Sequence, residues 1–293
     1  MIRRRVAALV GARSPGRPGQ KAEGRRVAVR RGGAQRTGLL RGGLPGLALA
    51  LGLAGTAGAW EEPRSGYEFL PPEVQQMQDD EFANPGMFAV EEGREAFNEP
   101  GFNGKACASC HGPDGDKLDP QAVARYPIYD AEKDAPRTLQ QQVNRCREYQ
   151  LEELPLPYDD RRLVLLETFV RYKARGAKVN VDIDGPLRPF YEAGRALYRT
   201  RIGQLQMACT HCHDQYTGAH LRDQVLNQGQ VNGFPAYRLM ANRISSVQRK
   251  FRDCFVTLRA RPYAPGSEAF INLELYTTAR GNGLPIETPG IRR

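Results

Sequence analysis

Histidine is scarce in this 293-residue chain, with four in all, and methionine is nearly so, with five. Chance will therefore rarely place a histidine directly after a Cys-x-x-Cys pair, and methionine cannot serve as a repeated ligand unless its few copies fall in matching places. No apolar run reaches the roughly 18 residues that a membrane span requires, so no stable span is expected. Acidic side chains are all but missing from residues 1–59, which carry Glu23 alone against 12 Lys and Arg. The formal charge of +9 belongs to that segment, because the remaining residues hold 30 basic against 32 acidic groups, a net of −2. A nucleic-acid partner, which a basic chain would ordinarily suggest, is thereby not expected.

The basic segment leads into Leu44-Pro-Gly-Leu-Ala-Leu-Ala-Leu-Gly-Leu and closes on Ala57-Gly58-Ala59. A charged beginning, a short apolar run and an Ala-x-Ala ending are the parts of an export signal. Residues 1–59 are expected to be a signal peptide cut near Ala59, giving a periplasmic chain; an uncleaved anchor is the alternative. The mature chain is long enough for two domains of ordinary size.

That chain repeats itself. Glu92-Gly-Arg-Glu-Ala-Phe97 precedes Cys107-Ala-Ser-Cys110-His111, and Ala193-Gly-Arg-Ala-Leu-Tyr198 precedes Cys209-Thr-His-Cys212-His213. A lone cysteine follows each, Cys146 at 35 residues after His111 and Cys254 at 41 after His213. Helical apolar spacing returns over 165–176 and 273–281, each ending at an Arg and a Gly as helix C-termini do. The expected fold is mainly α: two tandem cytochrome c-like domains related by internal repeat, with long irregular loops and little strand. The first, with an N-terminal extension that wraps it, spans 60–180, and the second spans 181–293.

Two thiols three positions apart on one turn reach the two vinyl groups of a porphyrin, while the adjacent histidine turns back to the iron. Two covalently bound haem c groups are therefore expected, held by Cys107, Cys110, Cys209 and Cys212, with His111 and His213 as proximal ligands. Three disulfides or a zinc site are competing readings. Neither accounts for both histidines, and the 99 residues between Cys110 and Cys209 exceed ribbon spacing. On the far side of each iron no methionine recurs at matching places, whereas Cys146 and Cys254 do, so these are the candidate distal ligands. A thiolate there stabilises ferric iron; a Cys146–Cys254 disulfide is the alternative. Lys250 lies four residues before Cys254 and shares its face whether the segment is helical or extended; Arg252 shares it only if extended. Such a field favours thiolate and would attract a small dianion.

Over its last hundred residues the chain resembles the SoxA family, the larger subunit of the SoxAX cytochrome of bacterial thiosulfate oxidation. The resemblance rests on Cys209-Thr-His-Cys-His-Asp-Gln215, Leu226-Asn-Gln-Gly-Gln-Val-Asn-Gly-Phe-Pro-Ala-Tyr-Arg-Leu239, Arg249-Lys-Phe-Arg-Asp-Cys254 and Leu273-Glu-Leu-Tyr276. It implies an L-cysteine S-thiosulfotransferase that joins thiosulfate oxidatively to a cysteine of the carrier protein SoxYZ, with electrons leaving to SoxX, a small monohaem cytochrome. It makes Cys254 the catalytic cysteine, carried as a persulfide, and sets Lys250 where the family usually has Arg, which keeps the charge but not the bidentate fork. A two-haem electron carrier without chemistry of its own is the competing function, and a dihaem peroxidase a third. Peptide mapping of the exported protein should find porphyrin on both Cys-x-x-Cys-His peptides; porphyrin on one or neither would contradict the repeat.

Overall fold

The computed structural model describes residues 62–293, so the expected signal peptide and its cut near Ala59 lie outside the described residues. In chain order the helices are α1 (Pro72–Asp79), α2 (Met87–Asn98), α3 (Cys107–His111), α4 (Pro120–Val123), α5 (Leu139–Gln150), α6 (Arg161–Lys173), α7 (Arg188–Arg199), α8 (Val247–Thr257) and α9 (Glu268–Ala279). The strands are β1 (Ile128–Asp130), β2 (Ala135–Arg137), β3 (His220–Leu221), β4 (Gln224–Val225), β5 (Ala236–Arg238), β6 (Arg243–Ser245) and β7 (Gly290–Arg292). The protein is mainly α, as expected. Hairpin β1–β2 leads into α5, and antiparallel β5–β6, extended by parallel β7, leads into α8.

Local sequence sets where the two helices after these hairpins begin. Thr138 caps α5 by accepting from the Gln141 N–H at 3.3 Å, while Gln141 accepts in return from the Thr138 N–H at 2.9 Å. Ser246 caps α8, accepting from the Arg249 N–H at 3.1 Å. Each cap satisfies a backbone donor that the first turn leaves without an intrahelical partner.

Helices α6 and α9 are buried along most of their length and form the centre. Phe97, Leu166, Phe169 and Val170 pack around α6, and Tyr198, Phe255, Phe270, Leu273 and Tyr276 around α9. Each central helix is crossed by the helix that precedes an attachment motif. The crossings are close because both meet the partner with glycine: a Cβ at Gly93 would lie 2.3 Å from the Leu165 carbonyl oxygen, and one at Gly194 would lie 2.0 Å from that of Asn272.

The segment from Ser65 to Asn84 departs from expectation, because its bonds run chiefly to the C-terminal end of the chain. The buried Gln78 Oε1 accepts from the Ile291 N–H at 2.8 Å, Asn84 Nδ2 donates to the Pro289 carbonyl at 3.0 Å, and Ser65 Oγ donates to Glu287 at 2.7 Å. The physical reason is the edge of β7, whose buried backbone groups need partners that β5 does not supply.

Replacing Gly194 by Ala should cost about 3 kcal/mol and lower Tm by roughly 6–12 °C, since a backbone carbonyl cannot step aside. An unchanged melting curve would mean that the α7–α9 crossing is looser than described.

Candidate functional site: two cysteine-histidine clefts

All six cysteines are free, so neither a three-disulfide framework nor a Cys146–Cys254 bridge is present. Among the described residues no three His, Cys, Asp or Glu converge to hold a metal ion, which leaves the zinc reading without a donor set.

The first cleft is a cavity of about 370 Å³ into which Cys107, Cys110, His111 and Cys146 all face. Its other walls are largely apolar, with Phe97, Leu139, Leu166 and Val170 among them. Burial pushes the Cys107 thiol up to about 11, and Cys146 adds to the rise while Arg147 opposes it. Gln142, one turn before Cys146 on α5, donates to its sulfur at 3.4 Å. A flat apolar group anchored through two thiols and met by an imidazole and a sulfur fits these walls.

At the second attachment motif, burial pushes Cys209 up to about 12 with Cys254 as the next cause, and the same two causes raise Cys212. The three sulfurs therefore lie within electrostatic reach of one another. His213 Nδ1 stands 2.7 Å from the Asn227 carbonyl; a carbonyl can only accept, so Nδ1 carries the proton and Nε2 is left for a metal. Burial holds His213 below the usual imidazole range, the neutral form a ligand needs. Gly229 backs the ring with φ +78°, and a Cβ there would come within 3.0 Å of it. Asn227 and Gly229 escaped sequence reasoning, although both stand inside the stretch 226–239 that carries the family resemblance.

Lys250 and Cys254 share a face of α8, one turn apart. Because the segment is helical, Arg252 stands about 200° round the axis from Cys254 and is not brought to the sulfur. Among the described residues neither Lys250 nor Arg252 forms an ion pair, whereas Arg249 is held by Asp159 at 2.9 Å. The two clefts thus differ one turn before the lone cysteine: a neutral amide at Gln142, an ammonium at Lys250.

Behind both clefts runs a buried polar layer. Gln140 on α5 donates at 2.7 Å to Glu167 on α6, and Gln248 on α8 donates at 2.8 Å to Glu274 on α9. The amide oxygens accept from the backbone N–H of Asp159 at 3.0 Å and of Gly266 at 2.7 Å. Each glutamine lies six residues before its cysteine, a recurrence visible in the sequence but unread there. Burial, with Glu274 adding, raises Glu167 to about 7, and burial raises Glu274 to about 6; buried Arg171 opposes both rises.

An attachment motif beside an apolar cavity, with histidine and sulfur on its walls, defines a c-type cytochrome carrying covalently bound haem c. The profile of the SoxA/TsdA cytochrome c domain matches residues 92–179. The chain is 40% identical over 237 residues to the L-cysteine S-thiosulfotransferase subunit SoxA of Rhodovulum sulfidophilum, covering 80% of this chain and 82% of that protein. It is 37% identical to the counterpart from Pseudaminobacter salicylatoxidans over 236 residues, 80% and 82% of the two chains. A crystal structure of SoxXA from P. pantotrophus superposes with a TM-score of 0.73 at 34% identity, covering 79% of this chain and 87% of that one. The chain belongs to the SoxA family.

The raised carboxyls carry a pH signature. Their folded-state values stand above the ordinary 4.5, so the folded protein keeps protons that the unfolded chain releases, and these groups lower stability as pH rises from 4.5 to about 7. Melts across that window should show the fall, and Glu167→Gln should flatten it; an equal slope in the variant would contradict the buried-carboxyl geometry.

Proposed function

We propose that the protein couples thiosulfate oxidatively to a cysteine of a SoxYZ-like carrier and passes the electrons to a SoxX-like monohaem cytochrome with which it forms a heterodimer. The observation that carries this reading is the pairing of 40% identity to an L-cysteine S-thiosulfotransferase subunit with Cys254 lying within electrostatic reach of Cys209 and Cys212. The SoxXA structure supports the partner, since this chain covers 87% of the matched subunit.

Two haem c groups are held, one by Cys107, Cys110, His111 and Cys146, the other by Cys209, Cys212, His213 and Cys254. Haem c, when bound, supplies a one-electron acceptor at each site. The two halves, 60–180 and 181–293, are copies of one unit. What supports this is the match of the Gly93 and Gly194 crossings, of the Thr138 and Ser246 caps, and of the Gln140–Glu167 and Gln248–Glu274 bonds. The stretch from Trp60 to about Met87 is the N-terminal extension; the bonds of Ser65, Gln78 and Asn84 to the chain's C-terminal end support a fastening there. Residues 1–59 direct export to the periplasm. Among the described residues no helix is long and apolar enough to cross a membrane.

In the reaction, the carrier thiol and the outer sulfur of thiosulfate become joined by a sulfur–sulfur bond, and one proton and two electrons leave. Lys250 draws the dianion to the Cys254 face with a charge that no carboxylate pairs with among the described residues. Arg252, further round the helix, adds to the field at longer range. Cys254 presents its sulfur to the incoming groups from a helix whose start is capped and tied down. Cys146 has an amide, not a cation, at the corresponding turn, and the one lysine on the walls of the first cavity, Lys117, comes from outside the cysteine's own helix.

Replacing Cys254 by Ser in the purified complex should abolish coupling of thiosulfate to the carrier, and mass spectrometry should find an extra sulfur on Cys254 with Cys146 unmodified. Full activity in that variant would reject the role given to Cys254 and return the protein to simple electron transfer.

A further inference from the structure

The connector between α5 and α6 belongs to the first half of the chain, yet its side chains end in the second. Asp159 accepts from the hydroxyl of Ser246, the N-cap of α8, and its other oxygen lies 2.9 Å from Arg249 in the first turn of that helix. Its own N–H donates to Gln140 on α5 at 3.0 Å. The Tyr158 hydroxyl stands 3.0 Å from Thr138 Oγ1, the N-cap of α5, and 3.0 Å from Glu274 Oε2 on α9; it accepts from Gln248 Nε2 on α8 at 3.1 Å. Two adjacent residues thus grip the beginnings of both helices that bear a lone cysteine.

Backbone strain marks the same place. Asp159 adopts φ +65°, in the left-handed region, with its side chain 5% exposed. The Tyr158 side chain lies against Gly266, where φ is +75° and an added Cβ would come within 2.9 Å of the Tyr158 Cβ and 3.0 Å of its ring. A non-glycine residue stays in that region only when its surroundings over-determine it, and such residues gather at functional sites. Nor is Asp159 needed to start α8, because Ser246 already caps it. What the carboxylate adds is a fixed roll and axial position for the helix, and Cys254 lies eight residues further along it.

We infer that Tyr158 and Asp159 are positioning residues for Cys254 and that they join α8 to α5, so that the sulfur of each half is placed by one shared joint. The inference rests on the reading of Cys146 and Cys254 as the distal sulfur ligands. It gives the first half a part in the reaction: a change at Cys146 reaches Cys254 through Gln140, Asp159 and the start of α8.

The test uses the haem-loaded protein with its partner subunit and the variants Asp159→Ala, Asp159→Asn, Tyr158→Phe and Cys146→Met, with Asp159→Ala and Cys146→Met also combined. Spectroelectrochemistry reads the midpoint potential of the second haem, and steady-state assays separate kcat from KM. Asp159→Ala should lower kcat by about 10- to 100-fold through misplacement of the reacting sulfur, with KM for thiosulfate changed by no more than about twofold. Asp159→Asn, which keeps the bond from Ser246, should restore most of the loss. Cys146→Met should shift the potential of the second haem, and that shift should vanish in the Asp159→Ala background. Additive shifts in the cycle, or a second haem indifferent to Asp159→Ala, would overturn the proposal. Should Asp159→Ala fail to fold, Tyr158→Phe removes only a hydroxyl and is read against the same expectation. A native spectrum lacking sulfur ligation at either iron would instead overturn the ligand assignment, and it is seen before any variant is made.

Discussion

Glu167 and Glu274 are carboxyl groups taken out of water at the centre of the molecule, and each depends on the amide of a glutamine one helix away. An ionisable group buried without such a partner would be strongly unfavourable. That requirement fixes the roll of α5 and α8, because Gln140 and Gln248 must face inward. Six residues correspond to about 240° round a helix, so the cysteines that follow are turned away from the carboxyl layer, Cys146 into the cavity beside the first attachment motif. The position of each sulfur is thus set from behind, by the desolvation of a carboxylate that touches neither cleft.

The helices that bear the two lone cysteines differ in charge. Around Cys146, Gln142 offers a neutral donor and Arg147 is paired with Glu153. Around Cys254, Arg249 is spoken for by Asp159 and Asp253 is engaged by Arg238, yet Lys250 and Arg252 form no ion pair among the described residues. One turn before the cysteine the two helices therefore carry different charge, an amide beside Cys146 and an ammonium beside Cys254.

Much of this was legible in the sequence, for identifiable reasons. Cys-x-x-Cys-His is read directly because the thiols and the imidazole must be contiguous to share one turn. The Gly93 and Gly194 positions were visible as a repeat, although the close helix crossing that demands glycine was not. Lys250 could be placed on the cysteine's face because four residues bring a side chain back under either geometry; Arg252 could not, and the helix turns it away. The role of the Ser65–Asn84 segment was misjudged, since nothing in Pro- and acid-rich sequence states which distant backbone edge it will cover. Tyr158 and Asp159 were silent for the same reason: their partners lie up to 116 residues away, and only folding brings them together.

Electron paramagnetic resonance of the ferric, haem-loaded protein would report which side chains hold each iron. Low-spin signals of histidine–thiolate ligation at two irons are expected. Histidine–methionine or bis-histidine signals, or a high-spin iron with no distal ligand, would contradict the histidine–thiolate assignment.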